Sequence, residues 1–216
     1  MTWRGESGPR LVFLGGGGHA AVLHALALAC EADIVGLCDP ALVASGLGRW
    51  RDVPVLGDDS ALTDLDRNAV LIVNAIGQTA RSQRRREASA RVRALGFRMA
   101  TLIHPTAWIA DDVRIAEGVQ IMAGTIIQPG CRIGEDTIVN TGASLDHDCD
   151  VESHVHIAPG ATLCGGVRIG EGAFIGAGTT IIEGIRVGAG ALVAAGSTLT
   201  RMVPDHAESI PRSPGR

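Results

Sequence analysis

The sequence predicts a Rossmann-like α/β domain of the βαβ kind followed by a parallel β-helix built from hexapeptide repeats. Three observations carry that reading. From Ile103 to Leu199 every sixth residue is Ile, Val or Leu, through seventeen hexads. Three residues after each of these comes Gly in eleven hexads, from Gly118 to Gly196, with Asp112, Asp136 and Asp148 in three more. Ahead of the repeats, an apolar run, a glycine cluster and an Ala/Leu-rich stretch follow one another as strand, turn and helix.

The front hundred residues read as alternating elements. Residues 11–14 form a strand, Gly15 to Gly18 and His19 a turn, and residues 20–30 a helix. Residues 34–38 give a second strand ending at Asp39-Pro40, about twenty residues past the glycine turn, where Rossmann-like sites place an acid. Residues 53–56 and 70–75 are further strands, the second leading into Ile76-Gly77-Gln78. Residues 81–95 form a charged helix, and residues 97–103 a last strand entering the repeats. The glycine cluster reads either as a loop whose backbone N–H groups hold phosphate or as a plain tight turn. Its glycines are contiguous, unlike a GxGxxG fingerprint, and nothing downstream resembles a dehydrogenase.

The repeats predict a short strand and a tight turn per hexad, with the periodic residue pointing inward, because Gly and Asp tolerate positive φ. Three hexads make one coil, so residues eighteen apart stack. Flat, self-similar faces commonly pack against copies of themselves, so a closed cyclic oligomer is expected. The polar departures cluster at residues 145–156 (LDHDCDVESHVH). His147, flanked by acids and stacked under Gly165, has the makings of a general base. Asp148 and His154 occupy the turn slot and have a backbone reading as well. His156 and Asn140 lie nine residues after and seven before His147, so neither shares its corner of the prism. A site using all three therefore lies between subunits. Three histidines also suggest a metal, but no correctly spaced third ligand faces them, and no metal is expected.

Composition narrows the classes. Apolar residues make up 46% and charged residues 19%, enough for a core and against disorder. A net charge of −4 leaves no basic footprint for nucleic acid. No apolar run is long enough to insert in a membrane. Five cysteines without CxxC spacing, and no signal peptide, lead to the expectation of reduced thiols in a cytoplasmic protein. Residues 1–10 and 211–216 read as polar arms. The expected domains are 11–100, 101–204 and a tail at 205–216.

The stretches at 15–20 (GGGGHA), 37–40 (LCDP), 75–77 (AIG), 103–107 (IHPTA) and 140–160 (NTGASLDHDCDVESHVHIAPG) carry a resemblance over nearly the whole chain. The chain resembles bacterial sugar-nucleotide acetyltransferases: the UDP-4-amino-sugar and GDP-perosamine N-acetyltransferases and the sialic acid O-acetyltransferase group. That resemblance implies a left-handed parallel β-helix after the βαβ domain; parallel crossovers are otherwise right-handed, and periodicity does not fix the hand. It implies acetyl-CoA as donor and a homotrimer with active sites between subunits. His147 is then the base, Asp148 its orienting acid, and Asn140 lies beside the reacting groups. His156, Gly165, Ala177 and Ala195 would line the acetyl-CoA site. Gly17, Gly18, His19, Asp39 and Gly77 would hold the nucleotide-sugar. Some UDP-sugar members carry two adjacent acids where this chain has Cys38-Asp39-Pro40, so the nucleobase stays open. The function expected is N-acetylation of a nucleotide-linked 4-amino-sugar for bacterial surface glycans. The alternatives are O-acetylation of sialic acid or a related sugar, and a non-catalytic sugar-nucleotide-binding trimer.

Overall fold

The computed structural model describes residues 10–79 and 81–209. Apart from Arg10, which opens the first strand, the expected arms lie outside these residues. The chain divides into two compact units, Met1–Ile103 and His104–Arg216.

In the first unit, β1 (Arg10–Leu14), α1 (Gly18–Ala29), β2 (Asp33–Cys38), α2 (Pro40–Ala44), β3 (Arg49–Trp50), β4 (Val53–Gly57), β5 (Leu71–Asn74) and α3 (Arg84–Ala94) follow in order. The sheet order is β3-β4-β2-β1-β5. β1 runs parallel to both β2 and β5, and only β3 is antiparallel. Leu11, Val12, Phe13 and Leu14 are all fully buried, as a central parallel strand covered on both faces requires. From β1 the chain builds outward to β2 and β4, then returns to the other side of β1 with β5. β1 and β5 thus flank the topological switch point, and open α/β sheets bind ligands in the crevice outside the strands' carboxyl ends there.

Three features depart from expectation here. Asp39-Pro40 is a helix start: Asp39 caps α2 by accepting from the Ala41 and Leu42 N–H groups, with Pro40 in the first turn. The β3–β4 hairpin turns on Arg51 and Asp52, both at positive φ without glycine, so no turn signal marked it. The strand expected over 97–103 is reduced to a single bridge, Ile72 to Met99, and the two-residue strand Leu102–Ile103.

The second unit is a parallel β-helix with two-residue strands and three sheets. On face one, strands at Trp108–Ile109, Ile126–Ile127, Ser144–Leu145, Thr162–Leu163, Thr180–Ile181 and Thr198–Leu199 stack in parallel. Face two runs from Arg114–Ile115 to Arg186–Val187, and face three includes the strands from Gln120–Ile121 to Leu192–Val193. Partners are eighteen residues apart, as Ile126↔Ser144 and Ser144↔Thr162 show. The second residue of each strand is the periodic one, and from Ile121 onward all of these are buried.

A second inward column, four residues after the first, was not read from sequence. Val119, Cys131, Ala143, Cys149, Val155, Ala161, Val167 and Ala173 fill it, none more than 1% exposed. Where it is polar, Thr125, Thr137 and Thr179 each donate to a carbonyl fifteen residues on, in the next coil. Cys131 and Cys149 do the same to Asp146 and Cys164. Those two thiols are thus small core residues that stitch coils together, and all five cysteines are free.

The turn slots behave as the repeat predicts in mid-helix. Asp136, Asp148 and His154 sit at φ 56, 59 and 59, beside glycines of similar φ. Asp112 is a correction: it is not among the positive-φ residues. Later turn amides donate to a carbonyl nineteen residues back, as Asp136 does to Glu117; for Gly124 and Gly130 a side chain of the first coil takes that place. Asp112 Oδ2 accepts instead from the Gly130 N–H at 3.0 Å, and Thr106 Oγ1 accepts from Gly124 at 3.2 Å. Side chains cap the open end of the helix.

The other end also differs. Val203 bridges Val187, where an unbroken period would bring Asp205, so the last corner is two residues shorter. Glu208–Ser209 then pairs with Leu192–Val193. The coil runs on into the stretch expected as a tail.

Candidate active site

Two edges of the prism carry the candidates, and both border face one. His147 lies at the corner between faces one and two. Its Nδ1 is 2.9 Å from Asp148 Oδ2, and its backbone N–H donates to Asp146 Oδ1 at 2.8 Å. The side chain is 55% exposed, so the ring is offered to solvent. Hydrogen bonding to Asp148 raises the His147 pKa above its ordinary value; partial desolvation opposes this, and the charges of Asp146, Asp148 and Glu183 add to it. With Nδ1 turned to Asp148, Nε2 is the nitrogen that faces outward.

Gly165 stacks one coil on. A Cβ placed there would lie 2.6 Å from both Nε2 and Cε1 of His147. Its φ is not in the left-handed region, so the backbone does not demand glycine; the imidazole does. Among the described residues no acceptor meets the Gly165 N–H.

The other edge, between faces three and one, holds Asn140, Ala177 and Ala195, with His156 on the adjoining strand. Asn140 Nδ2 is 3.3 Å from His156 Nε2, while Asn140 Oδ1 accepts from the Thr141 N–H at 2.8 Å. That orientation makes Nδ2 the donor and His156 Nε2 the acceptor. His156 is only 8% exposed. Phe174 packs on it edge-on, ring centroids 4.9 Å apart. Ala177 and Ala195 lie on successive coils, joined by the Gly196 N–H to Ala177 carbonyl bond at 2.8 Å.

The structure thus groups His147 with Asp148 and Gly165, and Asn140 with His156. It does not bring Asn140 to His147, because seven residues carry the chain across face one to the next corner. Phe174 was missed, although adding eighteen to His156 would have found it. Glu183, two coils from His147 in the same column, was missed too. His154 serves as a left-handed turn residue 3.6 Å from Asp136. Among the described residues no group of three or more His, Cys, Asp or Glu is arranged for a metal ion.

In the first unit the glycine cluster splits into two kinds. Gly15 has φ +99, and a Cβ on it would press within 3.2 Å of Ile76. Gly16 donates to Asp39 Oδ2 at 2.7 Å, and its Cβ would meet Leu42 at 2.5 Å. These two are bare for the sake of the fold. Around Gly17 and Gly18 there is nothing within 4 Å of an added Cβ. They open α1, whose N-cap residue Gly17 makes no side-chain capping bond, and a helix start of this kind presents backbone N–H groups to a ligand. Gly77, after β5, comes up beside His19: a Cβ there would sit 3.4 Å from that of His19. Asp39 is engaged by three backbone N–H groups and staples the glycine loop to α2.

A strand–glycine–helix domain joined to a hexapeptide β-helix defines a class, the hexapeptide-repeat acyltransferases. The profile of the PglD N-terminal domain matches residues 10–90, and that of the bacterial transferase hexapeptide (six repeats) matches residues 166–201. PerB from Caulobacter crescentus, solved with CoA and GDP-perosamine, is 36% identical over 94% of this chain and 95% of its own, with a TM-score of 0.84. The acetyltransferase domain of PglB from Neisseria gonorrhoeae, solved with acetyl coenzyme A, is 32% identical over 94% and 96%, also at 0.84. WeeI from Acinetobacter baumannii, 22% identical over 96% and 98% with a TM-score of 0.76, shares the fold. No curated protein sequence matches. The chain belongs to the left-handed β-helix, hexapeptide-repeat acetyltransferases that the first two structures represent.

Proposed function

We propose that this protein transfers the acetyl group of acetyl-CoA to the amino group of a nucleotide-linked 4-amino-sugar, of the UDP-4-amino-sugar or GDP-perosamine type. Its setting would be cytoplasmic synthesis of a bacterial surface glycan; no described helix is long and apolar enough to cross a membrane. The observation that carries the reading is the His147–Asp148 pair held beside a glycine on which a Cβ would crowd the imidazole.

In this mechanism the sugar amine attacks the thioester carbonyl carbon, forming the C–N bond as the carbonyl electrons move to oxygen. The Gly165 N–H donates to that oxyanion. His147 Nε2 takes the amine proton, with Asp148 holding the ring through Nδ1. The tetrahedral intermediate collapses, the C–S bond breaks, and the CoA thiolate leaves to be protonated. His156, set by Asn140, would meet the thioester region, and the Ala177–Ala195 edge would line the pantetheine arm. Gly17, Gly18, His19 and Gly77 would hold the nucleotide at the switch-point crevice, with Asp39 shaping the loop.

A homotrimer completes the site. Face one bears Trp108, Ile126, Ser144, Thr162, Thr180 and Thr198 outward, none of them charged; Trp108 and Ile126 are 53% and 41% exposed. Face two bears Arg114, Arg132, Asp150, Arg168 and Arg186. Turning face one toward a threefold axis buries the uncharged column. It also sets the His147 edge of one copy against the Asn140–His156 edge of the next.

The test is thiol release from acetyl-CoA with a panel of UDP-, GDP- and dTDP-amino-sugars. Release with an amino-sugar supports N-acetylation. Release only with hydroxyl acceptors such as sialic acid moves the reading to O-acetylation, and binding without release with any acceptor overturns the enzyme.

A further inference from the structure

Beneath the switch-point crevice lies a buried cation that the mechanism does not use. Arg85, on the first turn of α3, is 3% exposed. Its Nη1 donates to the carbonyl oxygens of Asn74 at 2.6 Å and Ile76 at 3.0 Å, the strand end and loop that lead into Gly77. Asn74, 1% exposed, locks the arrangement from the other side. Its Nδ2 donates to the Arg85 carbonyl at 2.7 Å and Ser89 Oγ at 2.9 Å, and its Oδ1 accepts from the Ile76 N–H at 3.2 Å.

The consequence follows from peptide geometry. In a trans peptide the C=O and the following N–H point in opposite directions. The Asn74 carbonyl turned to Arg85 sends the Ala75 N–H the other way, into its 2.8 Å bond with the Leu14 carbonyl of β1. The Ile76 carbonyl turned to Arg85 likewise sends the Gly77 N–H away from the protein interior. Gly77 is exposed, and among the described residues no acceptor meets its N–H. A Cβ on Gly77 would make only ordinary contact with His19, so neither strain nor packing explains the bare position. Burying an arginine is costly unless its charge is answered. Here it is spent on two carbonyls whose orientation aims one donor at the crevice.

We propose that Arg85 is a positioning residue for the nucleotide-sugar: it fixes the Ile76–Gly77 peptide so that the Gly77 N–H donates to an oxygen of the bound nucleoside diphosphate, alongside the start of α1. This rests on the nucleotide-binding reading above and adds a residue that never touches the ligand. Arg85→Lys keeps the charge, but its ammonium sits one bond nearer the backbone than Nη1, the single nitrogen that donates to both carbonyls. Gly77→Pro removes the N–H and leaves Arg85 intact.

The experiment measures GDP and UDP binding by calorimetry, together with KM for nucleotide amino-sugar and acetyl-CoA, in both variants and their combination. Arg85→Lys is expected to weaken nucleoside diphosphate binding and raise the amino-sugar KM roughly tenfold, the size of one hydrogen bond to a charged oxygen. The acetyl-CoA KM and the saturated kcat stay within about twofold, and the double variant is no weaker than Gly77→Pro alone. A folded Arg85→Lys with unchanged nucleotide affinity, equal losses for both substrates, or additive effects in the double variant would each overturn the proposal. A wild-type protein that binds neither nucleotide and turns over no amino-sugar breaks the underlying reading instead, before any variant is made.

Discussion

The two units place chemistry by different means. In the β-helix a residue is positioned by translation: His147 meets Gly165 because eighteen residues make one coil, and Asn140 meets His156 because sixteen bring adjoining coils level. In the α/β unit nothing repeats. Gly77 meets His19 because β1 and β5 are neighbours whose following loops come up side by side, and a specific buried network aims the Gly77 amide. A register-built site is robust to backbone change but sensitive to what stands one coil away. A switch-point site is sensitive to the loops and their supports.

That contrast can be broken experimentally. The largest effect is expected from His147→Ala, a loss of roughly 10²–10⁴-fold in kcat with the coil intact, read in steady-state assays across pH. Near-normal turnover at high pH, where the amine is already neutral, would remove the base role and leave the fold argument standing. Gly165→Ala comes next. Its Cβ would stand 2.6 Å from the imidazole, which is exposed enough to swing aside. We expect kcat to fall roughly tenfold or more, as for a misplaced catalytic group, with the melting temperature little changed. A large loss of stability without a kinetic effect would show that the column is structural.

Asp148→Asn tests the electrostatics. In the proposed mechanism His147 is the base in its neutral form, and Asp148 holds its pKa above the usual value of about 6.5. The wild-type acid limb of kcat/KM should therefore lie above that value, and the variant's limb should move to lower pH while its plateau drops. A limb that does not move assigns the titration to another group.

The smallest catalytic effect belongs to the glycine loop. Gly17→Ala meets open space and should raise the nucleotide-sugar KM a few-fold with stability unchanged. Gly15→Ala, at φ +99, should cost about 1–3 kcal/mol in chemical denaturation. Equal behaviour of the two variants would erase the division between fold glycines and ligand glycines.

Much of this was legible in the residues. The hexads named the β-helix and its inward column, and the slot of His147 placed it under a small neighbour. The slots also separated His147 from His156. Less visible were the residues that act through geometry rather than type. Arg85 sits in a helix rich in arginines and looks no different from Arg84 or Arg86; only burial distinguishes it. Asp39 reads by position as an acid for a ribose or base, and the structure adds that its carboxylate accepts from three backbone amides. Asp112 matched the turn pattern by type, yet its carboxylate takes the Gly130 amide where later coils use a backbone carbonyl.

By itself the sequence determined what depends on local period: short strands, turns that need positive φ, and columns eighteen residues apart. Those follow because each coil repeats the same local backbone, so spacing converts directly into contact. Only the tertiary structure decided which candidates meet: Asn140 with His156 rather than His147, Gly77 beside His19, and Arg85 on the carbonyl that precedes Gly77. Those pairings depend on the order of strands in a sheet and the direction of single peptide groups, and no periodicity in the chain encodes either.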